Sequence, residues 1–251
     1  MSTNPQDLNP EKPLFAPGPA RDARFVVKER WSECTNLPST HPDRDLEFFQ
    51  RQMNEEINGM ENAARNLADF PDADWNVRMC IARQASDEAR HVQMFRHIME
   101  KRGSWVGRYP VLNFQYRIIA NVDSLEGRLA IQNRSFEAEG VDAVEPEIEK
   151  ARANGDTELA DLYEMQLADE IGHVRFANEY IAQVSKTNPM SVMRVGRALN
   201  YASQAFLWVM GQKAIDGASY ARNERGRLEA GFSAEEVRFV VAERSSRNAG
   251  A

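Results

Sequence analysis

Two copies of one pattern constrain this chain more than any other feature: Asp87-Glu88-Ala89-Arg90-His91 and Asp169-Glu170-Ile171-Gly172-His173. Both read D-E-x-x-H, and their histidines lie 82 residues apart in a chain that has only four histidines. At average composition, a given histidine carries Asp-Glu at that offset roughly once in 300, so two matches among four are not accidental. Residues three apart on a helix share a face. Glu88 and His91 can therefore hold one metal ion between them, and so can Glu170 and His173.

The rest of the chain supplies helices for these pairs. Leu46, Phe49, Met53, Ile57, Met60, Ala64 and Leu67 form one apolar stripe, predicting a helix from about Asp43 to Asp69 that breaks at Phe70-Pro71-Asp72. A second helix is expected from about Ala73 to Arg102, with Gly103 past its end. Residues 104–121, with a Gly, a Pro and several aromatics, suit a long crossover better than a tight hairpin. A third helix opens near Asp123-Ser124-Leu125-Glu126, with Asp123 or Ser124 as cap and Glu126 completing a capping box on Asp123, and ends near Asn154-Gly155. A fourth runs from Asp156 to about Lys186 and stops at Asn188-Pro189. A fifth, about Ser191 to Gly217, carries Val195, Leu199, Ala202, Phe206 and Val209 on one stripe, and a short last helix opens at Ser233 with Glu236 as its capping-box partner. No strand pattern competes.

The expected fold is therefore all-α: a four-helix bundle of two helical hairpins with a long crossover, plus one or two C-terminal helices, which is the ferritin-like connectivity. Three parts are expected: a Pro-rich arm over 1–42 (five prolines in the first 20 residues), the bundle over 43–187, and a helical extension over 188–251 that packs on it.

A Glu-x-x-His from each of two helices, plus one Glu from each of two more, is the ligand set of dinuclear carboxylate bundles. The single glutamates follow from level. Glu88 lies about 16 residues beyond the turn at Pro71, and an error of five residues would move a ligand by roughly 7 Å, too far to share a metal. Glu56 fits this level and sits at the edge of the apolar stripe; Glu55 points away, and Glu61, second in order, is about five residues too close to the turn. In the second hairpin, Glu137 and Glu139 both qualify by level and periodicity. An ordinary bundle would have to bury these carboxylates unpaired, which is costly without a cation.

A metal-bound histidine usually gives its other N–H to a carboxylate. Asp87 and Asp169 each precede a motif glutamate and so point toward the neighbouring helix, which predicts that Asp87 supports His173 and Asp169 supports His91. Arg90 and Arg175 are expected as buried counter-charges near the cluster. His41 and His97 have no such context and are read as non-ligands.

These segments resemble the ferritin-like superfamily and, more closely, the DUF455 family, a branch related to the tRNA hydroxylase MiaE. The resemblance is carried by Glu56 with Gly59-Met60-Glu61, by Phe70-Pro71-Asp72-Ala73 and DEARH at 87–91, and by Tyr109-Pro110-Val111. It continues through Phe136-Glu137-Ala138 with Val141-Asp142-Ala143, Gly155-Asp156, and DEIGHVRFA at 169–177. It covers about residues 45–185. The family's Glu-Ala step matches Glu137-Ala138, so the resemblance prefers Glu137 over Glu139. It implies two iron ions, with an Mn/Fe pair as the variant, held by Glu56, Glu88, His91, Glu137, Glu170 and His173. The first motif is also similar to that of bacterial multicomponent monooxygenase hydroxylases. Where radical-generating ribonucleotide reductase subunits have a tyrosine four residues after the first-motif histidine, this chain has Phe95, which speaks against a stable tyrosyl radical.

The functional expectation is a di-iron oxygenase that uses O2 as co-substrate to hydroxylate or N-oxygenate a small molecule. Glu88 and Glu170 would bridge, Glu56 and Glu137 would be terminal, and Phe95, Phe136 and Phe176 would line the pocket. Hard carboxylate ligands suit the high oxidation states such chemistry needs. Its electrons would come from an external donor, a reductase or ferredoxin, and a homodimer is compatible with the pattern.

Three other classes compete: a ferroxidase or iron-storage protein, a peroxide-reducing or electron-transfer protein, and a MiaE-like tRNA hydroxylase. The second of these often carries a four-cysteine metal domain that Cys34 and Cys80 cannot build. The net charge of −7 disfavours a nucleic-acid partner, although Arg194, Arg197, Arg222, Arg225 and Arg227 would make a local basic patch. No apolar run reaches ~18 residues, so no membrane span is expected. The first residues lack a secretory pattern, and two thiols suit a cytoplasmic protein.

Overall fold

The apolar stripes of the first hairpin fold as two long helices, α1 (Arg44–Asp69) and α2 (Trp75–Lys101). Asp74 caps α2, its carboxylate accepting from the N–H groups of Asn76 and Val77 at 2.9 and 3.4 Å. Gly103, at φ +81°, takes the left-handed conformation past the end of α2. The computed structural model describes residues 14–212 and 223–238. Residues 1–13 of the expected arm and the end of the expected fifth helix lie outside them.

The third rod is not the uniform helix that periodicity predicts. It consists of α4 (Leu125–Ile131), a π-helical stretch (Gln132–Glu137) and α5 (Ala138–Ala153). Its N-cap is Ser124, with no side-chain capping bond; Glu126, expected in a capping box, instead accepts from Arg194 Nε at 2.5 Å. The fourth rod is α6 (Thr157–Thr187), capped by Asp156, which accepts from Leu159 N at 3.3 Å.

Side-chain pairs fix the directions. Lys150 Nζ reaches Asp45 at 3.3 Å, and Arg128 Nη1 donates to Asn66 at 3.2 Å, so the α4–α5 rod runs antiparallel to α1. Lys101 Nζ donates to Glu158 at 2.6 Å while His173 meets Asp87, so α6 runs antiparallel to α2. The order is up, down, down, up: an all-α bundle of two hairpins joined by a full-length crossover.

That crossover is more ordered than a loop reading allows. It contains α3 (Phe114–Ile119) and a two-residue strand, β2 (Val111–Leu112), which pairs in parallel with β1 (Val27–Lys28). Gly107 makes the approach of the 21–28 segment possible, since a Cβ there would stand 2.0 Å from the Arg24 carbonyl oxygen.

A ladder of amides on α1 fastens the crossover. Gln50, Asn54, Asn58, Asn62 and Asn66 recur every fourth residue and are all buried. Gln50 donates to the Tyr109 carbonyl, Asn54 to that of Leu112 at 2.6 Å, and Asn58 Oδ1 accepts from Tyr116 N at 3.3 Å. They satisfy backbone groups that would otherwise be buried unpaired.

Helix α7 (Met190–Met210) covers the bundle, packing Ala198, Ala202, Ala205 and Val209 against Ile118, Ile119 and Ile131. Helix α8 (Glu224–Glu229) lies against α5 and α6, and the last helical turn, 234–238, opens with the expected reciprocal bonds between Ser233 and Glu236 at 2.8 and 3.2 Å. Among the described residues, no helix is long and apolar enough to cross a membrane.

Candidate metal centre

The two D-E-x-x-H motifs face each other across α2 and α6, and the single glutamates arrive from α1 and from the end of the π-helical stretch. Glu56, Glu88, His91, Glu137, Glu170 and His173 are all buried and converge in the middle of the bundle. Their ligand atoms form two groups, Glu56–Glu88–His91–Glu170 and Glu88–Glu137–His173, each within 4.8 Å. Glu88 belongs to both. Its Oε2 lies 3.3 Å from His91 Nδ1, and its Oε1 lies 3.6 Å from His173 Nδ1. Glu170 joins the first group while its Oε2 stands 3.9 Å from His173 Nδ1. Glu61 is drawn away by an ion pair with Arg21, and Glu139 is exposed and belongs to neither group.

Both histidines are held from behind, in the crossed sense the sequence implies. His91 Nε2 lies 3.1 Å from Asp169 Oδ2, and His173 Nε2 lies 3.3 Å from Asp87 Oδ2. An Nε2–H donating outward leaves each Nδ1 lone pair facing the cluster, the tautomer a ligand needs. Arg90 lies outside the cluster rather than buried in it: half exposed, it clasps Asp87 and Asp169 from the surface. Arg175 is not near the cluster at all; it donates to the Glu229 carbonyl at 2.7 Å.

Four buried amides, absent from the sequence reading, complete the frame. Gln84 donates to Glu137, and Gln166 donates to Glu56 at 2.7 Å, so each glutamine holds the single glutamate of the opposite hairpin. Gln132 and Asn133 add bonds of 3.0 and 2.9 Å to Glu137. A signal for the two glutamines was present: both motifs extend to Q-x-x-D-E-x-x-H, at Gln84 and Gln166. The single glutamates repeat as well, as Glu56-x-x-Gly59 and Glu137-x-x-Gly140.

The electrostatics call for cations. Burial pushes the Glu88 carboxyl up to about 7, with the Glu56 charge adding to the rise and the His91 bond opposing it. Burial, and then the Glu88 charge, push Glu137 and Glu170 well above the usual range. Burial alone would lower His91, but its bonds to Glu56 and Glu88 outweigh this and raise it to about 11. All four directions mean the same thing: the cluster takes up positive charge. Among the described residues, Glu170 Oε2 and His173 Nδ1 have no hydrogen-bond partner although both are buried. Orphaned donor atoms, two oriented imidazoles and four carboxylates fit a pair of divalent cations.

A cavity of about 260 Å³ opens beside the cluster and reaches Glu56, Glu88, Glu137 and Glu170. The crossover covers it through Leu112 and Phe114, and α7 through Phe206 and Met210. Phe136 lines it as expected, and with Phe114 and Phe206 forms an aromatic trio with centroids 5.7–6.1 Å apart. Phe95 and Phe176 do not line it. Phe95 is core, between Phe49 and Tyr163, and Phe176 packs with the Leu125 and Leu129 cluster. Of the five arginines expected to make a basic patch, Arg227 is buried on Asp142, Arg194 pairs with Glu126, Arg225 pairs with Glu229 and Arg197 is exposed, while Arg222 lies outside the described residues.

Fold and site together define an all-α bundle with a buried Glu/His cluster of metal-binding type. Residues 4–238 match the family model described as Protein of unknown function (DUF455), and the chain belongs to that family. No curated protein and no solved structure matches it.

Proposed function

We propose that this chain is a ferritin-like, non-haem di-iron oxygenase that hydroxylates or N-oxygenates a small organic molecule. The observation that carries the reading is one buried carboxylate, Glu88, placed between two separately oriented histidines, with a cavity lined by the crossover and α7 against the same cluster. Glu56, Glu88, His91, Glu137, Glu170 and His173 would hold two iron ions, with Glu88 common to the two groups of ligand atoms. The iron pair would supply the reduction of O2, inserting one oxygen atom into substrate and releasing the other as water, with two electrons and two protons from outside. An external reductase or ferredoxin is therefore part of the proposal, and Mn/Fe is the alternative pair.

The protein's own part is positional. Asp87 and Asp169 hold the imidazole tautomers, Gln84 and Gln166 hold the single glutamates, and the aromatic trio supplies apolar lining to the cavity. A substrate-sized cavity with aromatic lining from the crossover and α7, set against the cluster, favours this reading over iron storage.

The test is metal analysis of protein grown in iron-replete medium, followed by rapid mixing of the reduced form with O2. Two irons per chain and an O2-dependent absorption transient are expected. One iron per chain, or no reaction with O2, would refute the reading. Uptake of many tens of irons per chain into a large assembly would replace it with storage.

A further inference from the structure

The two D-E-x-x-H motifs differ at the residue before the histidine, which is Arg90 in the first and Gly172 in the second. A Cβ at Gly172 would meet nothing within 4 Å, so no crowding keeps a longer side chain out of the second motif. One half thus carries a cation at this place, and that cation reaches the aspartates of both. A single atom, Arg90 Nη2, donates to Asp87 Oδ1 at 3.2 Å and to Asp169 Oδ2. Asp87 Oδ2 is left to accept from His173 Nε2 at 3.3 Å, while Asp169 Oδ2 also accepts from His91 Nε2 at 3.1 Å. The supports of both histidines therefore meet at one guanidinium, whose side chain is 45 % exposed.

The two aspartates are not equally supplied. Arg83 Nε, on the same helix, lies 3.4 Å from Asp87 Oδ2. Among the described residues, the arginine that reaches Asp169 is Arg90. The terminal torsion of an aspartate is broad, so its carboxylate turns unless a second contact holds it. A metal-bound imidazole takes its orientation from the group that its other nitrogen bonds. What fixes the aspartate therefore fixes the ligand.

We infer that Arg90 is a positioning residue shared by the two metal subsites. It holds the Asp87 and Asp169 carboxylates and, through them, the rings of His173 and His91, and the His91 subsite depends on it more. This role, which rests on the metal-centre reading above, belongs to a residue that touches no metal. An ordinary surface ion pair joins one acid to one base and contributes little. Here one base joins acids from two helices, and each acid is bonded to a buried histidine.

The test uses the full chain loaded with Co(II), whose hyperfine-shifted proton spectrum shows the exchangeable N–H of each coordinated imidazole. Asp169→Asn and Asp87→Asn each displace one signal and so assign His91 and His173. Arg90→Met keeps a long side chain without donors, and Arg90→Lys restores one charged nitrogen with three donors. In Arg90→Met both N–H signals should exchange with solvent faster, that of His91 at least several-fold and that of His173 less, because Arg83 remains. Co(II) affinity, measured by competition with a chelator, should fall up to about ten-fold, the low end for loss of a supporting contact. Arg90→Lys should recover most of both effects. The metal-free Arg90→Met protein should melt within a few degrees of the parent, as expected for a half-exposed side chain.

Unchanged exchange and affinity in Arg90→Met, or a change confined to one histidine, would overturn the inference. So would a matching fall in the melting temperature of the metal-free protein, which would mark Arg90 as a residue of the fold rather than of the centre. A parent chain that binds fewer than two Co(II) refutes the metal centre and this role with it. A parent that binds two, with Arg90→Met indistinguishable from it, refutes this role alone.

Discussion

Gly59 is three residues past Glu56, on the face of α1 that meets α2. A Cβ built there would stand 3.1 Å from both Cδ and Oε1 of Glu88, and 3.4 Å from its Cγ. Gly140 occupies the same place after Glu137, and a Cβ there meets nothing within 4 Å. Gly→Ala at these two sites therefore separates helix propensity from pressure on the Glu88 carboxylate, the proposed bridge. In a helix interior the exchange is worth about 0.5–1 kcal/mol, or a rise of roughly 1–4 °C in Tm for a chain of this size. Gly140→Ala should show that gain and nothing else. In Gly59→Ala the gain is opposed, because Glu88 must move by a few tenths of an ångström while His91 and Gln84 hold it. Metal sites tolerate only about ±0.2 Å in ligand distance. Metal affinity should then fall about 10–100-fold, the range seen when a supporting contact is lost, with the metal-free fold intact. Competition titration against a chelator measures the affinity, and thermal melts of the metal-free proteins measure the fold. Gly59→Ala with unchanged affinity would mean that Glu88 is not a ligand clamped between α1 and the metals, and the reasoning would fail.

Three further outcomes follow from the same structure. Raising the Glu88 carboxyl from its ordinary 4.5 to about 7 costs the metal-free fold nothing below pH 4.5 and a growing amount up to pH 7, on the order of 3 kcal/mol in all. The His91 contribution, full below 6.5, also falls as pH rises toward about 11, so chelated protein should melt lower at pH 8 than near pH 5; equal melts would show that the cluster is not buried together. Asn54→Ala removes the donor to the Leu112 carbonyl and should cost about 1–3 kcal/mol in denaturant unfolding, with two metals still bound per chain. Arg227→Ala leaves Asp142 buried without its partner and should cost about 3–5 kcal/mol; a loss below about 1 kcal/mol would show that α8 is not anchored through this pair.

The helices and the convergence of the six residues were legible because each rests on a short-range period. Spacing i, i+3 puts Glu and His on one face whatever the rest of the chain does, and rise per residue sets the level of Glu56 against Glu88. The crossed pairing of Asp87 with His173 and Asp169 with His91 followed for the same reason. The choice of Glu137 over Glu139 did not. It needed the π-helical stretch at Gln132–Glu137, which resets the helical phase just before the ligand and leaves Glu139 exposed. An insertion of phase has no signature in hydrophobic periodicity, so level and stripe alone left both glutamates standing.

The buried amides were hidden for a different reason. A glutamine or asparagine on a helix is ordinarily a surface residue, and Gln50, Asn54, Asn58, Asn62 and Asn66 on α1 read as the polar face opposite an apolar stripe. Gln50, Asn54 and Asn58 are buried under the crossover, whose short strand and helix bring carbonyl and N–H groups that need partners, while Asn62 and Asn66 meet Gln132 and Arg128 of the third rod. Their period of four was in the sequence, but its meaning depends on what covers α1, which is a long-range fact. The same holds for Gln84 and Gln166. Each sits four residues before a motif glutamate, yet the carboxylate it holds belongs to the other hairpin. Each hairpin thus carries one complete Glu-x-x-His pair and the Asp and Gln that support the opposite half. Neither half supports its own histidine, and although Gln132 and Asn133 hold Glu137 from its own rod, Glu56 is held from the opposite hairpin by Gln166, so the centre is fully positioned only when the two hairpins dock, and the crossover that permits this docking is fastened by amides rather than by apolar packing alone.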